Sequence, residues 1–260
     1  MKRRKISCFV IAYNEADRIA ACLMPLAGWV DQLIVLDSGS TDGTAEIAKR
    51  YADDVYTTDW PGFAAQRTRA LEYCKHEWVL NVDADEVVSE ALKQDIDEIL
   101  SRPTLSATLI NIPWKTYLFG GALSHGRYST PQGKLFLKEG AKFKDKSVHE
   151  TLIMPHKEIA TVKSPLYHYS WRDYYHVQEK HLKYATLAAG DKHKSGKRIS
   201  LSFAVFRFFM DFTQQYIFRA GFLDGKRGFL MAVILGQYAF HKYAGLWSLT
   251  QETIKDDVRK

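Results

Sequence analysis

The stretch Trp78-Val79-Leu80-Asn81-Val82-Asp83-Ala84-Asp85-Glu86 constrains the chain most. Its first half is an apolar run of strand length, the pattern of a strand buried on both faces. Its second half places Asp83, Asp85 and Glu86 where that strand should end. Ligands of open α/β sheets gather outside the carboxyl ends of the strands. Three acidic side chains there repel one another unless a cation sits between them. Hard oxygen ligands suit Mg²⁺ or Mn²⁺, and Mg²⁺ typically keeps one or two carboxylates together with waters and substrate phosphates. The first expectation is therefore a divalent metal holding a diphosphate. The alternative is a helix N-terminus whose acids complement the dipole, because Ser89-Glu90-Ala91-Leu92 reads as a helix start.

The preceding residues alternate strand and helix. Ile6 to Ala12 predicts a buried strand closed by Tyr13-Asn14-Glu15, and Ala16 to Leu26 has helical spacing. Leu33 to Leu36 predicts a second strand, ending in the turn-rich Asp37-Ser38-Gly39-Ser40-Thr41-Asp42-Gly43. A helix over Ala45 to Tyr51, capped by Thr44 or Asp42, a short strand near Val55 to Thr57 and a helix over Ala64 to Lys75 follow. This order predicts βαβ units and a mostly parallel Rossmann-like sheet flanked by helices. Three polar strand ends, Tyr13-Asn14-Glu15, Asp37 to Ser40 and Asp83 to Glu86, then converge on one crevice. There Asp37 can accept from a base or ribose, the backbone near Gly39 can approach closely, and Gln66 and Arg67 can reach phosphate or base. No Gly-x-Gly-x-x-Gly follows the first strand and there is no Walker A lysine motif, which argues against a dinucleotide dehydrogenase or P-loop NTPase.

Composition narrows the partners. The 260 residues are 46% hydrophobic and 25% charged, enough for one large domain or one with an appended lobe. A formal charge of +6 suits an anionic partner. Cys8, Cys22 and Cys74 have no metal-like spacing and suggest a reducing compartment. Ile6 to Tyr13 is too short for a signal-peptide core, so a cytoplasmic protein is expected. The aromatics form no recognisable RNA-binding motif, and nucleic acid is not expected as a partner.

The combination of Ile11-Ala12-Tyr13-Asn14-Glu15, Asp37-Ser38-Gly39-Ser40-Thr41-Asp42-Gly43-Thr44 and Asp83-Ala84-Asp85-Glu86 resembles the family 2 glycosyltransferases of GT-A fold. The resemblance implies a nucleotide-sugar donor, a divalent metal (Mg²⁺ or Mn²⁺) and inversion at the anomeric carbon. It implies a donor site at Ala12, Tyr13, Glu15, Asp37, Gly39, Arg67 and Asp83, with Asp83 and Asp85 as the metal and ribose element. Thr68 departs from the pattern, since many relatives have Asn there.

In the acceptor half, Ala107 to Ile112 predicts a strand, and Trp114 to Pro131 predicts a long loop rich in aromatic and basic residues. Lys115, His125 and Arg127 in that loop suit a phosphorylated sugar. Lys134 to Lys138 and Lys142 to Lys144 alternate like the strands of a hairpin leading to Ser147-Val148-His149-Glu150-Thr151. An inverting transfer needs a base for the acceptor proton. Glu150 is the candidate, with His149 to orient it or contact the acceptor, and Val148-His149-Glu150 also resembles the family's acceptor-side element. His168, in Leu166-Tyr167-His168-Tyr169-Ser170-Trp171, is a candidate for the metal shell or for phosphate. The bland reading is a packed core histidine.

Asp173 to Lys194 predicts a helix with a basic face. Beyond Ile199 aromatic and basic residues interleave, and no apolar run reaches the ~18 residues of a spanning helix. Two amphipathic helices suited to the inner face of the cytoplasmic membrane are expected, or a face packed on the catalytic domain or on a second copy. The expected division is a catalytic domain over 1–172, with a nucleotide-binding half over 1–102 and an acceptor half over 103–172, and a helical region over 173–260. The segment 219–225, His168-Tyr169-Ser170 and Tyr238 to Tyr243 also resemble the WaaE-type lipopolysaccharide core β-1,4-glucosyltransferases. That branch implies UDP-glucose as donor and a phosphorylated heptose of lipid A-core as acceptor. Another lipid-linked or protein acceptor, or a non-catalytic nucleotide- or polyanion-binding role, remains open on the residues.

Overall fold

The computed structural model describes residues 3–144 and 151–258. The chain divides into two compact units, the first Met1–Lys115, Thr130–Lys146 and Glu150–Ser170, the second Thr116–Ser129, Ser147–His149 and Trp171–Lys260.

The first unit opens with β1 (Ile6–Ala12), α1 (Ile19–Leu23), β2 (Gln32–Asp37), α2 (Thr44–Ala48), β3 (Asp54–Thr57), α3 (Phe63–Tyr73) and β4 (Trp78–Asp83). It continues through β5 (Glu86–Val88), α4 (Glu90–Leu100) and β6 (Leu109–Ile112). After β7 (Trp114–Leu118) and β8 (Gly121–Leu123), the chain returns to this unit as β9 (Gln132–Leu137), β10 (Lys142–Lys144), β11 (Thr151–Ile153), β12 (Ile159–Thr161) and β13 (Leu166–His168). A seven-stranded sheet runs β12-β6-β9-β4-β1-β2-β3. Parallel pairing joins β4, β1, β2 and β3, while β9 is antiparallel to both its neighbours. This is the mostly parallel α/β architecture that the alternation of strands and helices predicts.

The central strands are buried on both faces. One face sets Cys8, Val10, Val35 and Leu80 against Leu23, Leu92 and Ile96. The other sets Phe9, Ile34 and Val79 against Leu71 of α3 and Phe136 of β9. Registers Ala12↔Asp37 and Ile11↔Asp83 bring the ends of β1, β2 and β4 to one edge of the sheet. The Ser89 hydroxyl caps α4 by accepting from Leu92 N at 3.2 Å.

The second unit contains the distal part of β7, which forms a hairpin with β8 around Phe119 and Gly120. Helices α5 (Tyr174–Lys194), α6 (Leu201–Thr213) and α7 (Gly225–Val258) follow. Leu118 and Leu123 join Trp171, Val177, Met231 and Ile234 in its core. Between α6 and α7 the chain makes a π turn over Gln214–Phe218 and a 3₁₀ turn over Gly221–Asp224. Buried Gln215 accepts from Arg127 N at 3.0 Å, and Asp224 accepts from Ser124 N at 3.1 Å and His125 N at 3.0 Å. No helix among the described residues is long and apolar enough to cross a membrane.

Several local expectations change. Trp114 to Pro131 is not a long loop: it forms β7, β8 and a 3₁₀ turn at Arg127–Ser129. Lys134 to Lys138 and Lys142 to Lys144 do not pair as a hairpin, because β9 inserts between β4 and β6 while β10 pairs with β11. The first helix is only Ile19–Leu23, flanked by turns.

Gly228 tests how tightly the 220–228 turn is closed, since a Cβ there collides with the Gly221 carbonyl oxygen. Gly228→Ala is expected to lower stability by about 1–3 kcal/mol through overpacking, measured by urea unfolding. Gly190, where a Cβ meets nothing within 4 Å, serves as the control position.

Candidate active site

The loops leaving β1 and β2 are stapled to each other. Asn14 N donates to Ser40 Oγ at 2.9 Å, and Asn14 Oδ1 accepts from Thr41 N at 2.9 Å. Glu15 N donates to Thr44 Oγ1 at 2.8 Å and Ala16 N to Asp42 Oδ2 at 3.0 Å. Asn14 adopts a left-handed φ of +54° and Gly39 one of +82°, turns that short polar residues and glycine accommodate. The Tyr13 ring stands out of this edge, 57% exposed.

Asp37 ends β2 and is only 1% exposed. Its Oδ2 accepts from Gly39 N at 3.1 Å and Ser40 N at 2.9 Å, while its Oδ1 is buried and has no hydrogen-bond partner. Beneath it, Gln66 donates to Ser38 Oγ at 3.0 Å and Thr58 Oγ1 at 2.7 Å. Asp37 is thus a carboxylate with one oxygen held by two backbone amides and the other buried without a partner.

The acidic strand end is more differentiated than its sequence suggests. Asp83 Oδ1 accepts from Arg67 Nη2 at 2.7 Å and Oδ2 from Lys134 Nζ at 2.7 Å. Glu86 turns inward and is fully buried, accepting from Lys134 Nζ at 2.8 Å, Asp83 N at 2.8 Å and Trp114 Nε1 at 2.7 Å. Burial pushes the Asp83 carboxyl up, but Arg67 and Lys134 more than reverse it and hold it well below the carboxylate range. Burial raises Glu86 more than Lys134 lowers it. Lys134 is disfavoured by burial, yet the two carboxylates push its pKa above the ordinary lysine value. The three acids therefore do not converge on one point; Glu86 belongs to the interior.

Asp85 is the acid that faces a different set. Its Oδ2 lies 3.6 Å from His168 Nε2 and 3.9 Å from Arg18 Nη1. Strand β13 pairs with β5 so that His168 stands opposite Glu86, and Tyr169 N donates to the Asp85 carbonyl at 2.8 Å. The His168 ring stacks on Trp114 at 4.4 Å. The Asp85 carboxylate is the kind of hard oxygen ligand that Mg²⁺ and Mn²⁺ take alongside phosphate oxygens and waters, whereas the His168 imidazole is a softer donor that suits them less. Asp83, with both oxygens bonded to cations, fits such an ion less well. Among the described residues no group of three or more His, Cys, Asp and Glu side chains could hold a metal alone.

The expected site residues thus sort by place. Ala12, Tyr13, Glu15, Asp37, Gly39, Arg67, Asp83, Asp85 and His168 all belong to the first unit. The His125 ring lies in the second unit, its Nδ1 3.0 Å from Asp224 Oδ1. His149 and Glu150 lie outside the described residues. Sequence reasoning missed Lys134 and Trp114. A single lysine inside the strand Gly133-Lys134-Leu135-Phe136-Leu137 was the available signal, because a strand buried on both faces shelters a cation only beside a carboxylate.

A mostly parallel α/β sheet with acidic and polar strand ends at one edge defines the class: an α/β protein of the kind whose ligands gather at the carboxyl ends of its strands. The chain belongs to glycosyl transferase family 2, whose model matches residues 7–154. It is a glycosyltransferase, and its sheet is the GT-A type of that family. An uncharacterized glycosyltransferase of Rickettsia conorii is 27% identical over 96% of this chain and 92% of its own. The lipopolysaccharide core biosynthesis glycosyltransferase LpsC of Rhizobium meliloti is 28% identical over 90% of this chain and 89% of its own. Among solved structures, S. aureus TarS in complex with UDP-GlcNAc covers 97% of this chain and 92% of its own, at 16% identity and a TM-score of 0.49.

Removing the buried ammonium tests the electrostatics. Lys134→Met leaves Glu86 and Asp83 without their shared cation and is expected to cost about 3–5 kcal/mol, measured by denaturant unfolding. Adding Glu86→Gln to Lys134→Met should recover part of that loss.

Proposed function

We propose that this glycosyltransferase moves glucose from UDP-glucose, with inversion, to a heptose of the lipopolysaccharide inner core. The observation that carries the donor side is Asp37, a buried carboxylate whose Oδ1 lacks a partner. An acceptor held at the sheet edge by two backbone amides suits an N–H of a base or a ribose hydroxyl. Ala12, Tyr13, Glu15 and Gly39 line the same loops. Asp83 and Arg67 serve the ribose and diphosphate, Asp83 through its remaining lone pairs and Arg67 through its guanidinium.

Asp85, with His168 beside it, would hold Mg²⁺ or Mn²⁺, and a divalent ion there would supply positive charge to the departing diphosphate. The acceptor hydroxyl attacks the anomeric carbon from the side opposite the diphosphate. The bond from that carbon to the diphosphate oxygen breaks with its electron pair going to the leaving group. Glu150 takes the acceptor proton, and His149 orients it or the acceptor. The anomeric centre is oxocarbenium-like at the transition state, so the base works across the sugar ring from the leaving group.

The acceptor assignment is supported by the similarity to LpsC along nearly the whole chain and by the WaaE-type resemblance of the later segments. A lipid-anchored acceptor and a cytoplasmic nucleotide sugar put the reaction at the inner face of the cytoplasmic membrane.

The deciding experiment screens nucleotide sugars with Mg²⁺ or Mn²⁺ against heptose-bearing core acceptors, with products read by mass spectrometry. UDP-glucose is expected to give one added hexose. No transfer from any donor, or transfer only to an acceptor without heptose, overturns the assignment. Asp85→Ala should abolish metal-dependent donor binding in calorimetry. Asp37→Ala should weaken donor binding about 10- to 100-fold, the loss of one charge-assisted hydrogen bond. Glu150→Ala should spare donor binding and slow transfer by roughly 10²–10⁴-fold.

A further inference from the structure

The second unit carries a large apolar surface that its own core does not use. On α6, Val205, Phe206, Phe209 and Met210 fall on one side of the helix, and Phe209 is 61% exposed. The opposite side holds buried Ala204 and the Arg207–Asp211 ion pair at 2.9 Å. The turns beyond α6 extend the exposure: Phe218 is 80% exposed and Leu223 60% exposed. A soluble monomer seldom exposes large aromatic residues in so continuous a run, and such patches mark interaction surfaces.

The charges say what the surface meets. From Lys192 to Gln251 the chain has nine lysines and arginines and two acids, Asp211 and Asp224. Both acids are taken up internally, Asp211 by Arg207 and Asp224 by the amides of Ser124 and His125. The cations next to the apolar residues face out: Lys197 and Arg198 precede α6, and Arg219 and Lys226 bracket the 3₁₀ turn, all exposed. Two copies of this surface placed face to face would oppose like charges, which disfavours a dimer through it. An anionic bilayer satisfies both parts at once. Aromatic and aliphatic side chains enter the headgroup boundary while the flanking lysines and arginines meet lipid phosphates.

We infer that α6 and the turns over 214–224 form a monotopic docking surface for an anionic lipid bilayer, with Phe209 and Phe218 as inserting residues and Arg219 and Lys226 as phosphate contacts. The surface gives the lipid-acceptor reading a physical means of reaching its substrate. It is read out by lipid binding without turnover, so its failure and the failure of that reading are separable.

The full chain is sedimented with vesicles of phosphatidylcholine alone or of equimolar phosphatidylcholine and phosphatidylglycerol. Binding is expected to the anionic vesicles and to weaken as salt screens it. In Phe218→Trp, emission should shift to the blue on binding and be quenched by lipids brominated in the acyl chains. Phe209→Glu with Phe218→Glu should weaken binding at least about tenfold while leaving circular dichroism and the melting temperature unchanged, because both side chains are exposed. Arg219→Glu with Lys226→Glu should weaken binding selectively on the anionic vesicles. The inference is overturned by an absence of vesicle binding at low salt, by binding that the double glutamate variant retains, or by a dimer that this variant dissociates in a protein that binds no vesicle.

Discussion

The acidic edge of the sheet depends on one buried ammonium group. Lys134 rises from β9 with 5% of its surface exposed and joins Asp83 at 2.7 Å to Glu86 at 2.8 Å. Two carboxylates this close, one of them fully buried, repel each other and lose hydration. The cation between them makes the strand end tenable, and Trp114 and the Asp83 amide supply Glu86 with its remaining donors. Lys134 also lies 5.5 Å from the centre of the Trp114 ring, and that ring stacks on His168. The orientation of the imidazole beside Asp85 is thus coupled to a salt-bridge network formed by residues from β4, β5, β7 and β9.

That coupling also explains why three neighbouring acids have different fates. Glu86 spends its charge on the interior, and Asp83 is locked between Arg67 and Lys134. Asp85 is directed toward His168 and Arg18. A run of acids reads as one cluster in a sequence, but β4 ends at Asp83 and a turn over residues 84–85 leads into β5. Asp83 and Glu86, on either side of that turn, share Lys134, while Asp85 within it lies beside His168.

The regular elements were legible because they rest on local patterns. β1 and β4 read as apolar runs, and α4 and α5 read from Ser89 and Asp173 at their N-caps. The order of strand and helix gave the parallel portion of the sheet. The place of β9 did not follow, because a strand that inserts antiparallel between β4 and β6 is decided by contacts distant in sequence. The 114–131 segment read as loop for a related reason. Its glycines and polar residues mark the turns of a short hairpin, whose strand character comes from the burial of Leu118 and Leu123 in the second unit. At the site, Asp37 and Asp85 were legible as carboxylates at strand ends, and His168 as a histidine of uncertain duty. Its place beside Asp85 needed the β5–β13 pairing, which no local pattern encodes.

Asp37 stands apart from the other acids in how its charge is met. Asp83 and Glu86 are balanced by whole cations, but Asp37 receives two backbone amides on one oxygen and nothing on the other. A buried acceptor left without a donor costs about 1–3 kcal/mol. The loops that follow β1 and β2 are joined through Asn14, Ser40, Asp42 and Thr44 beside the strand end that carries Asp37. The two amides that could have been shared between the carboxylate oxygens are both committed to Oδ2, so the deficit stays on Oδ1 and sets Asp37 apart from acids neutralised by lysine or arginine.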